Sequence, residues 1–367
     1  MPVAGQLPRQ LYGYYEVSPE AQELTVNELG YLNTQSDAGR KSIICSVCHT
    51  LYTDSFTVDG QPTGSQLPEQ VVTLEWLHSS LADRSCQSCH MPMVTDAGLL
   101  SNTEIDGAVS GRISRHLFLG ADTWLLAACN SDGHLDRGLE ETTSFLQAQT
   151  ARLTLDGEVD SQNQLLLDVR IDSLVGHKFP TGFPARRAWI HVTVTDQDSQ
   201  VLYESGAYDA QGMILDNAMD QTPGLFEPHY SVIDSPGQVQ IYEAVMLDSN
   251  GQATTNLLQG ICYVKDNRLL PPGFDKRVTT PDIAVIGEAL DDPDFIGGSD
   301  ITHYIISLPN GSGPLVITVE LLYQPLSYRF LENLSDRPTT EQQALTEVLE
   351  QTPNTPVIVT SNQLVVE

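Results

Sequence analysis

The spacing of hydrophobic and polar positions changes near residue 150. Upstream, PEQVVTLEWLHSSLADRS (68–85) carries apolar residues at helical spacing after Pro68, and LDRGLEETTSFLQAQTARL predicts a second helix that ends before a first strand near Leu153. Downstream, apolar and polar positions alternate with a period of two in LLLDVRIDSL, AWIHVTVTD, VLYESGAY, VQIYEAVMLD, ITHYIISL and LVITVELLYQ. The pattern predicts a helical, loop-rich part followed by a β part.

The sequence of the β part predicts antiparallel pairing of its strands. Its runs are separated by turn residues, with no helical segment long enough for a parallel crossover, and DSNGQ (248–252) and LPNGSGP (308–314) predict hairpin turns. The later segment TTEQQALTEVLEQ predicts a capped helix, with Thr340 and Gln343 at capping-box spacing. These features favour an antiparallel β-sandwich and a short C-terminal helix.

Length and composition fit more than one soluble domain. The chain has 367 residues, 40% hydrophobic and 7% aromatic, as in ordinary globular proteins. We predict an α+β multidomain protein with a helical, loop-rich module over residues 1–150, an antiparallel β-sandwich over 151–330, and a C-terminal helix and tail over 331–367.

The charge excludes some partners. With 48 acidic and 18 basic residues the formal net charge is −30, which argues against nucleic acid or an anionic membrane surface as a partner. The charge fits a protein that docks basic partners, but solubility alone is the favoured explanation. No run approaches the roughly 18 apolar residues of a spanning helix. The start, MPVAGQLPRQLYGYYE, lacks the pattern of a signal peptide, so the sequence indicates either a cytoplasmic protein or a mature chain.

Two pentapeptides, CSVCH and CQSCH, contain four of the six cysteines. Zinc, thiol–disulfide exchange and covalent haem c all use Cys-x-x-Cys. Exchange needs a βαβ setting, which is absent, and zinc gives no reason for a histidine after both pairs. In haem c two thiols bond the vinyl groups and the adjacent histidine ligates the iron, so haem is favoured over zinc. The predicted attachment sites are Cys45, Cys48 and His49 for the first haem and Cys86, Cys89 and His90 for the second.

Covalent haem decides the expected compartment. Because haem c is attached outside the cytoplasm, we expect an exported protein, periplasmic or on the cell surface of a bacterium, whose signal peptide is missing from this chain. Cys129 and Cys262 remain outside the motifs. A disulfide between them and two separate buried thiols both stay open.

Each low-spin haem needs a second axial ligand, usually His or Met. His116 follows the second motif at a distance that lets the chain loop over a porphyrin, and His177 lies in a Gly- and Pro-rich loop between strands. His229 is a reserve ligand. Met91 and Met93 directly follow a proximal histidine, so neither reaches the opposite face of the same haem.

Two further charged features have competing interpretations. Arg186 and Arg187 follow the His177 loop and could pair with haem propionates, or only balance local carboxylates. The segment EALDDPDFIGGSD (288–300) offers oxygens that suit calcium, but its spacing matches no defined loop, and an acidic turn is favoured over a calcium site.

The chain resembles a group of bacterial multihaem cytochromes c that join a small haem module to a C-terminal β domain. The resemblance lies in PEQ…EWLHS…CQSCHMP, RHLFLGAD, GHKFPTGFPARRAW, YVKDNRLLPPGF and DPDFIGGSD, and covers about residues 40–330. It implies that His116 and His177 are axial ligands; we assign His116 to the second haem and His177 to the first. Most such proteins carry more than two haems, so this chain would be a reduced version. The dihaem peroxidases differ, with two all-helical lobes and no sandwich.

We therefore expect an electron carrier rather than an enzyme, serving redox partner proteins outside the cytoplasm with two low-spin haems. One alternative is an enzyme that reduces peroxide or a nitrogen oxide at a five-coordinate haem. Another is the haem subunit of a larger electron-transfer assembly, filament or membrane complex, with a histidine ligand supplied by another subunit.

Overall fold

The computed structural model describes residues 9–13, 17–97, 111–310, 313–335 and 339–367. The chain divides into two compact units: unit 1 comprises Met1–Cys48 and Asp83–Phe118, and unit 2 comprises His49–Ala82 and Leu119–Glu367. This division differs from the predicted boundary at residue 150, which stays a prediction. Two segments expected in the haem module, 49–82 and 119–150, lie in the same unit as the strands.

Short helices dominate the α content of the described ranges, and no helix there has the length and apolarity to cross a membrane. The α-helices are α1 (Pro19–Leu24), α2 (Ile43–Ser46), α3 (Val72–Leu77), α4 (Cys86–His90), α5 (Thr123–Ala128), α6 (Asp136–Gln149), α7 (Ala218–Gln221), α8 (Tyr328–Ser335) and α9 (Thr340–Gln351). A π-helical turn covers Thr25–Leu29, and 3₁₀ turns cover Ala38–Arg40, Leu257–Gln259, Pro281–Ile283 and Glu288–Leu290.

The strands are β1 (Arg9–Gly13), β2 (Tyr31–Gln35), β3 (Leu51–Phe56), β4 (Pro62–Gln70), β5 (Met93–Ala97), β6 (Gly111–Ser114), β7 (Ala151–Val159), β8 (Gln164–Ser173), β9 (Arg187–Thr195), β10 (Val201–Ser205), β11 (Val232–Ile233), β12 (Ile241–Tyr242), β13 (Ala244–Leu247), β14 (Ala253–Thr254), β15 (Cys262–Asp266), β16 (Ser299–Ser307), β17 (Leu315–Gln324) and β18 (Val357–Val366).

Unit 1 is held by two small ribbons and short turns of helix. Strands β1 and β2 pair in parallel, and β5 pairs with β6 in an antiparallel ribbon. Helices α2 and α4 carry cysteines of the first and second pentapeptide. Two-stranded ribbons bury little surface by themselves. Covalent attachments inside this unit would therefore add substantially to its order.

Unit 2 contains two larger sheets. One has the strand order β10-β9-β17-β18, with β12 also on β9, and every pair is antiparallel. The other has the order β11-β16-β8-β7, antiparallel except for the short parallel pair of β11 with β16. A third sheet, β14-β13-β15, and the β3–β4 hairpin complete the unit. The prediction of antiparallel pairing from residue 151 is confirmed for all but that one pair.

Both larger sheets supply one continuous hydrophobic core. On β8 the inward positions Leu165, Leu167 and Val169 are at most 1% exposed, and on β9 Val192 and Val194 are fully buried. These positions are two apart, so their side chains share one face of each strand. The shared core supports a sandwich arrangement, which stays a prediction.

The helix predicted from Pro68 begins later than expected. Pro68 lies in β4, and the helix α3 covers only Val72–Leu77. Residues 68–70 form strand rather than helix because β4 pairs along its length with β3, and Leu67 is fully buried in that hairpin. Pairing between distant residues therefore overrides the helical spacing of this segment.

The C-terminal prediction is also incomplete. Helix α9 forms as expected, but its cap is Thr339, whose hydroxyl accepts a hydrogen bond from the backbone N–H of Gln342. The tail continues into β18, which pairs antiparallel with β17. The turn at 248–252 joins the paired strands β13 and β14 as predicted. The segment 308–314 instead joins strands of different sheets, so it is not a hairpin turn.

Candidate functional site

The first pentapeptide begins in a helical turn. Cys45 lies in α2, and the backbone N–H of Cys48 donates to the carbonyl oxygen of Cys45 at 3.2 Å. Residues three apart on such a turn project from the same side. Cys48 and His49 are exposed and Cys45 is half-buried. Both thiols of the pair therefore point to one side of the chain.

The second pentapeptide is itself the helix α4. Ser85 caps it, because its hydroxyl accepts a hydrogen bond from the N–H of Ser88 at 3.2 Å. Cys86 is half-buried, Cys89 is exposed and His90 is half-buried. The i,i+3 spacing again places both thiols on one side of a turn.

Within unit 1 the second pentapeptide contacts the turn that leads into the first. The N–H of Cys86 donates to the Ser42 hydroxyl at 3.1 Å, and the Gln87 amide donates to the carbonyl oxygen of Lys41 at 3.0 Å. Partial burial, followed by the neighbouring Cys86 thiol, raises the pKa of Cys45. The first cysteine of each motif is therefore in contact with the other motif.

The surroundings of the thiols suit a large apolar group. Neither pair forms a disulfide, and in unit 1 Ile43, Ile44, Val47, Met93 and Phe118 are each more than half exposed. Exposed apolar side chains next to a reactive pair of thiols suit a site that another apolar group covers. Two thiols and a histidine in sequence, beside exposed aliphatic side chains, are the donor set and surroundings of a covalent porphyrin. The residues present thus fit haem c.

His116 and the two methionines also lie in unit 1. His116 is exposed, just after β6, and its ring lies 5.8 Å from the ring of Phe118. Phe118 has φ of 50°, an uncommon left-handed backbone for a bulky residue. Met91 is half-buried and Met93 is exposed. The structure keeps His116 and the second pentapeptide in one compact unit, as the assignment of His116 requires.

His177 lies in unit 2, on the loop between β8 and β9. Its ring is half-buried, and its Nδ1 lies 2.8 Å from the carbonyl oxygen of Lys178. A carbonyl only accepts hydrogen bonds, so this contact requires the proton on Nδ1, and in the neutral ring the lone pair is then on Nε2. Imidazole ligands of metals commonly have this arrangement.

Four charged side chains form a buried cluster beside the His177 loop. They are Glu75, Lys178, Asp266 and Arg268. The Lys178 ammonium lies 2.7 Å from Asp266 Oδ2, and Arg268 reaches the same carboxylate with Nε at 2.9 Å and Nη2 at 2.7 Å. Arg268 Nη1 also lies 2.9 Å from Glu75 Oε1, and all four side chains are at most 9% exposed. The formal charges of the two acids and two bases sum to zero, and buried charges are normally paired in this way.

The cluster shifts the pKa values of its members. Burial lowers the pKa of Lys178, more than Asp266 raises it. Burial alone would raise the pKa of Asp266, but Arg268 and Lys178 outweigh it and lower the pKa to about 2. Burial is likewise outweighed at Arg268, whose pKa is raised by Asp266 and Glu75. The ionised forms are therefore the stable ones for Asp266 and Arg268 near neutral pH.

The two arginines predicted for haem propionates have different surroundings. Arg187 is 1% exposed, with Nη1 2.6 Å from Asp220, a further hydrogen bond from Nε to Gln324, and its guanidinium over the Trp189 ring. Because protein groups enclose it, the propionate role expected for Arg187 is not supported. Arg186 is half-buried and donates to the carbonyl oxygen of Thr181 at 2.7 Å, so it stabilises the His177 loop.

His229, the reserve ligand, is buried with both ring nitrogens engaged. Nδ1 lies 2.9 Å from the amide nitrogen of Gln240 and 3.1 Å from that of Asn267. Backbone N–H groups donate to the oxygen of each amide, which fixes both nitrogens as donors toward Nδ1. The ring proton is therefore on Nε2, which donates to Asp292 at 3.1 Å. Neither nitrogen offers a lone pair to iron, which argues against the reserve assignment.

The acidic segment 288–300 is tied to the same network. Ligand atoms of His229, Asp292 and Asp300 lie within 4.8 Å of one another, a spacing open to a metal ion. The fixed tautomer of His229 removes the nitrogen ligand, and Asp300 Oδ2 accepts hydrogen bonds from Tyr242 at 2.7 Å and Gln240 at 3.2 Å. Burial raises the pKa of Asp300. These contacts favour a structural polar network over a calcium site.

The remaining candidates are peripheral. Cys129 and Cys262 are both exposed and unpaired, so the structure contains neither the disulfide nor the buried thiols that the sequence left open. His78 Nδ1 lies 2.8 Å from the carbonyl oxygen of Leu74, and its ring lies 6.3 Å from that of Phe274. His78, the residue that follows α3, is therefore held by packing at the end of that helix.

The sequence interpretation missed the charge cluster around His177. Its signal is visible only in part: Glu75 stands in the apolar run TLEWL, and Lys178 stands between His177 and Phe179. Charged residues in such positions are rarely buried unless paired. The partners, Asp266 and Arg268, are nearly 90 residues further along the chain, and no local pattern pairs them with Lys178.

Comparison with known proteins gives a fold and no family. No protein-family model and no curated protein matches the chain. Among solved structures, it is similar to a penta-heme cytochrome c552 from Thermochromatium tepidum, with 16% sequence identity and a TM-score of 0.51. The similarity covers 91% of this chain and 58% of that chain, so our chain spans little more than half of its length. The chain thus has a fold in common with a multihaem c-type cytochrome.

Proposed function

We propose that this chain is a dihaem c-type cytochrome that transfers electrons between redox proteins outside the cytoplasm. The observation that carries the proposal is the presence of all four cysteines of the two Cys-x-x-Cys-His pentapeptides in one unit, where the N–H of Cys86 donates to the hydroxyl of Ser42. The fold in common with a penta-heme cytochrome supports it. Bound haem would supply a reversible iron couple, and the protein sets its ligands and burial.

Each residue of the pentapeptides has a defined role in this proposal. Thioether bonds from the two cysteines fix the porphyrin edge, and the following histidine, His49 or His90, binds the iron. Helical turns direct both thiols of a pair to one side, which pre-organises attachment. His116 would bind the second iron from the opposite face, and His177 the first.

The contact between the motifs bears on electron transfer. Because the N–H of Cys86 is bonded to Ser42, three residues before Cys45, the two attachment points are close. Groups attached to neighbouring thiols exchange electrons over a short path. Two haems held in this way would act as one relay, with the exposed apolar side chains of unit 1 covered by porphyrin.

Partners and compartment follow from charge and attachment chemistry. A net charge of −30 would attract basic redox proteins and repel acidic ones. We further propose export to the periplasm or the cell surface, since haem c is attached there. The sheets of unit 2 would offer a docking face and carry His177.

The haem count tests the proposal directly. After expression with a cytochrome c maturation system, a pyridine haemochrome assay and intact mass should both give two covalent haems per chain. Cys45→Ala and Cys86→Ala should each disturb one attachment, whereas the control Cys129→Ala should retain two. One haem per wild-type chain, or bound zinc without haem, would refute the proposal.

A further inference from the structure

We propose that the buried cluster of Glu75, Lys178, Asp266 and Arg268 positions the His177 ring for axial ligation. The inference rests on the proposed function, and it assigns these four residues as positioning residues rather than ligands. Each step of the argument lies within unit 2.

The cluster holds the loop by its backbone as well as by side chains. Glu75 Oε2 accepts hydrogen bonds from the N–H of Lys178 at 3.2 Å and from the Thr181 hydroxyl at 2.6 Å. One carboxylate therefore fixes the loop on both sides of Phe179. Phe179 exchanges two backbone hydrogen bonds with Leu269, at 2.9 and 2.8 Å.

The ring of His177 depends on this anchor. Its Nδ1 lies 2.8 Å from the carbonyl oxygen of Lys178, the residue whose ammonium is fully buried against Asp266. If the Lys178 backbone moves, the hydrogen bond that orients the ring moves with it. The two adjacent residues therefore differ in burial. The Lys178 side chain is enclosed by the protein, whereas His177 is half-buried at the surface.

Helix α3 connects this anchor to the first pentapeptide. Glu75 lies on α3, and Thr73 on the same helix donates from its hydroxyl to the carbonyl oxygen of His49 at 3.4 Å. The helix therefore contacts the segment of the proximal ligand with one residue and the His177 loop with another. An α-helix is stiff over a single turn, so it sets a fixed spacing between the two.

Stability alone is a poor explanation for these charges. Buried ion pairs can often be replaced by apolar residues without loss of stability, although removal of one partner is costly. The polar network instead holds the His177 loop in a single geometry, because each hydrogen bond has a required direction. A loop rich in Gly and Pro, with no strand pairing across His177, needs such a constraint.

The test measures the iron coordination of the holoprotein. In Glu75→Gln and Lys178→Met we expect one of the two haems to become partly high-spin by EPR and to bind carbon monoxide when reduced. His177→Ala supplies the reference for complete ligand loss. Lys178→Arg keeps the charge and should keep both haems low-spin.

Asp220→Asn is the matched control, because it breaks an equally buried ion pair, with Arg187, away from the His177 loop. It should lower the melting temperature yet leave both haems low-spin. If a cluster variant does not fold, Thr181→Val removes one hydrogen bond to Glu75, and a shift in one midpoint potential is the expected result.

The outcomes separate the two proposals. Fewer than two haems in the wild type refutes the proposed function. Two haems, with low-spin and carbon monoxide-inert spectra in Glu75→Gln and Lys178→Met and unchanged midpoint potentials in Thr181→Val, overturn the positioning role while the cytochrome proposal stands. If His177→Ala itself leaves both haems low-spin, His177 is not a ligand and the positioning role fails with it.

Discussion

The Lys178 ammonium and the Asp266 carboxylate form a fully buried ion pair, 2.7 Å apart, directly after the histidine proposed as a haem ligand. Asp266 ends strand β15, whereas Lys178 lies on the loop between β8 and β9. A charge that is enclosed in this way loses its hydration, so it tolerates little movement of its partner. The pair therefore joins two distant segments at a defined point.

Removing the carboxylate of this pair should destabilise the protein strongly. Asp266→Asn leaves Lys178 and Arg268 buried without their common partner, so we expect the free energy of unfolding to fall by about 3–5 kcal/mol in urea titrations. The control Asp172→Asn removes a partly exposed pair with Arg170, which solvent screens, and should cost less than about 1 kcal/mol. Equal effects for the two variants would contradict the assigned role of the buried pair.

Acid should weaken the same region. The pKa of Asp266 is about 2 in the folded protein, below the ordinary value of 3.8 for the carboxyl. A lowered folded pKa gives stability that is present above the ordinary value and is lost as pH falls toward 2. Urea unfolding between about pH 5 and 2 should show this loss, of roughly 2 kcal/mol, and it should be absent in Asp266→Asn. An unchanged slope in the variant would exclude Asp266 as its source.

Stability should also fall as the pH rises above about 6.5, because of His191. Burial lowers its pKa, but hydrogen bonds to Glu320 and Glu204, each 3.0 Å away, outweigh burial and raise the pKa. A raised folded pKa gives stability that is complete below about 6.5 and is lost as pH rises through the folded value. His191→Gln should flatten the pH dependence of the unfolding free energy in this range. A variant curve parallel to the wild type would assign the effect to other groups.

Glycine at position 206 is required by space and by backbone angle. Its φ is 82°, and a Cβ there would lie 2.4 Å from the carbonyl oxygen of Ile190. Gly206→Ala should destabilise the protein by more than about 2 kcal/mol in thermal unfolding. Gly60 has a similar φ of 79° with open space around it, so Gly60→Ala should cost only about 1 kcal/mol. Similar costs at both positions would show that the backbone angle alone matters.

Electron transfer to protein partners should depend on salt and on partner charge. Because the chain carries a net charge of −30, the reduced protein should transfer electrons faster to a basic cytochrome than to an acidic one at low ionic strength. Stopped-flow rates with the basic partner should fall as salt rises past about 0.1 M, where the Debye length is about 10 Å. A rate independent of salt would exclude electrostatic docking.

Local patterns predicted much of the architecture because their physical causes are local. The alternation in LLLDVRIDSL places every second residue of β8 in the core, and α6 ends at Gln149, with only Thr150 between it and the start of β7. The pentapeptides are equally local, since a helical turn alone directs both thiols to one side. These features need only neighbouring residues, so the sequence was sufficient to predict them.

The same local patterns did not predict which strands pair with each other. The helical spacing after Pro68 is real, yet β4 extends to Gln70 because β3 is available to pair with it. The segment 357–366 was expected only as part of a tail, and it forms β18 by pairing with β17. Strand pairing depends on partners far away in sequence, which a local window does not contain.

The chemistry of individual charged residues was decided by tertiary structure above all. Arg186 and Arg187 are adjacent and identical in the sequence, yet Arg187 is enclosed by Asp220 and Trp189 while Arg186 remains half-buried on a loop. The sequence made His229 a reserve candidate for a haem ligand, but in the structure its neighbours fix the ring proton on Nε2. The sequence by itself identified the residues that we predict to bind haem. Only the fold decided which other charges are buried and paired, because desolvation and hydrogen-bond direction arise from contacts between distant segments.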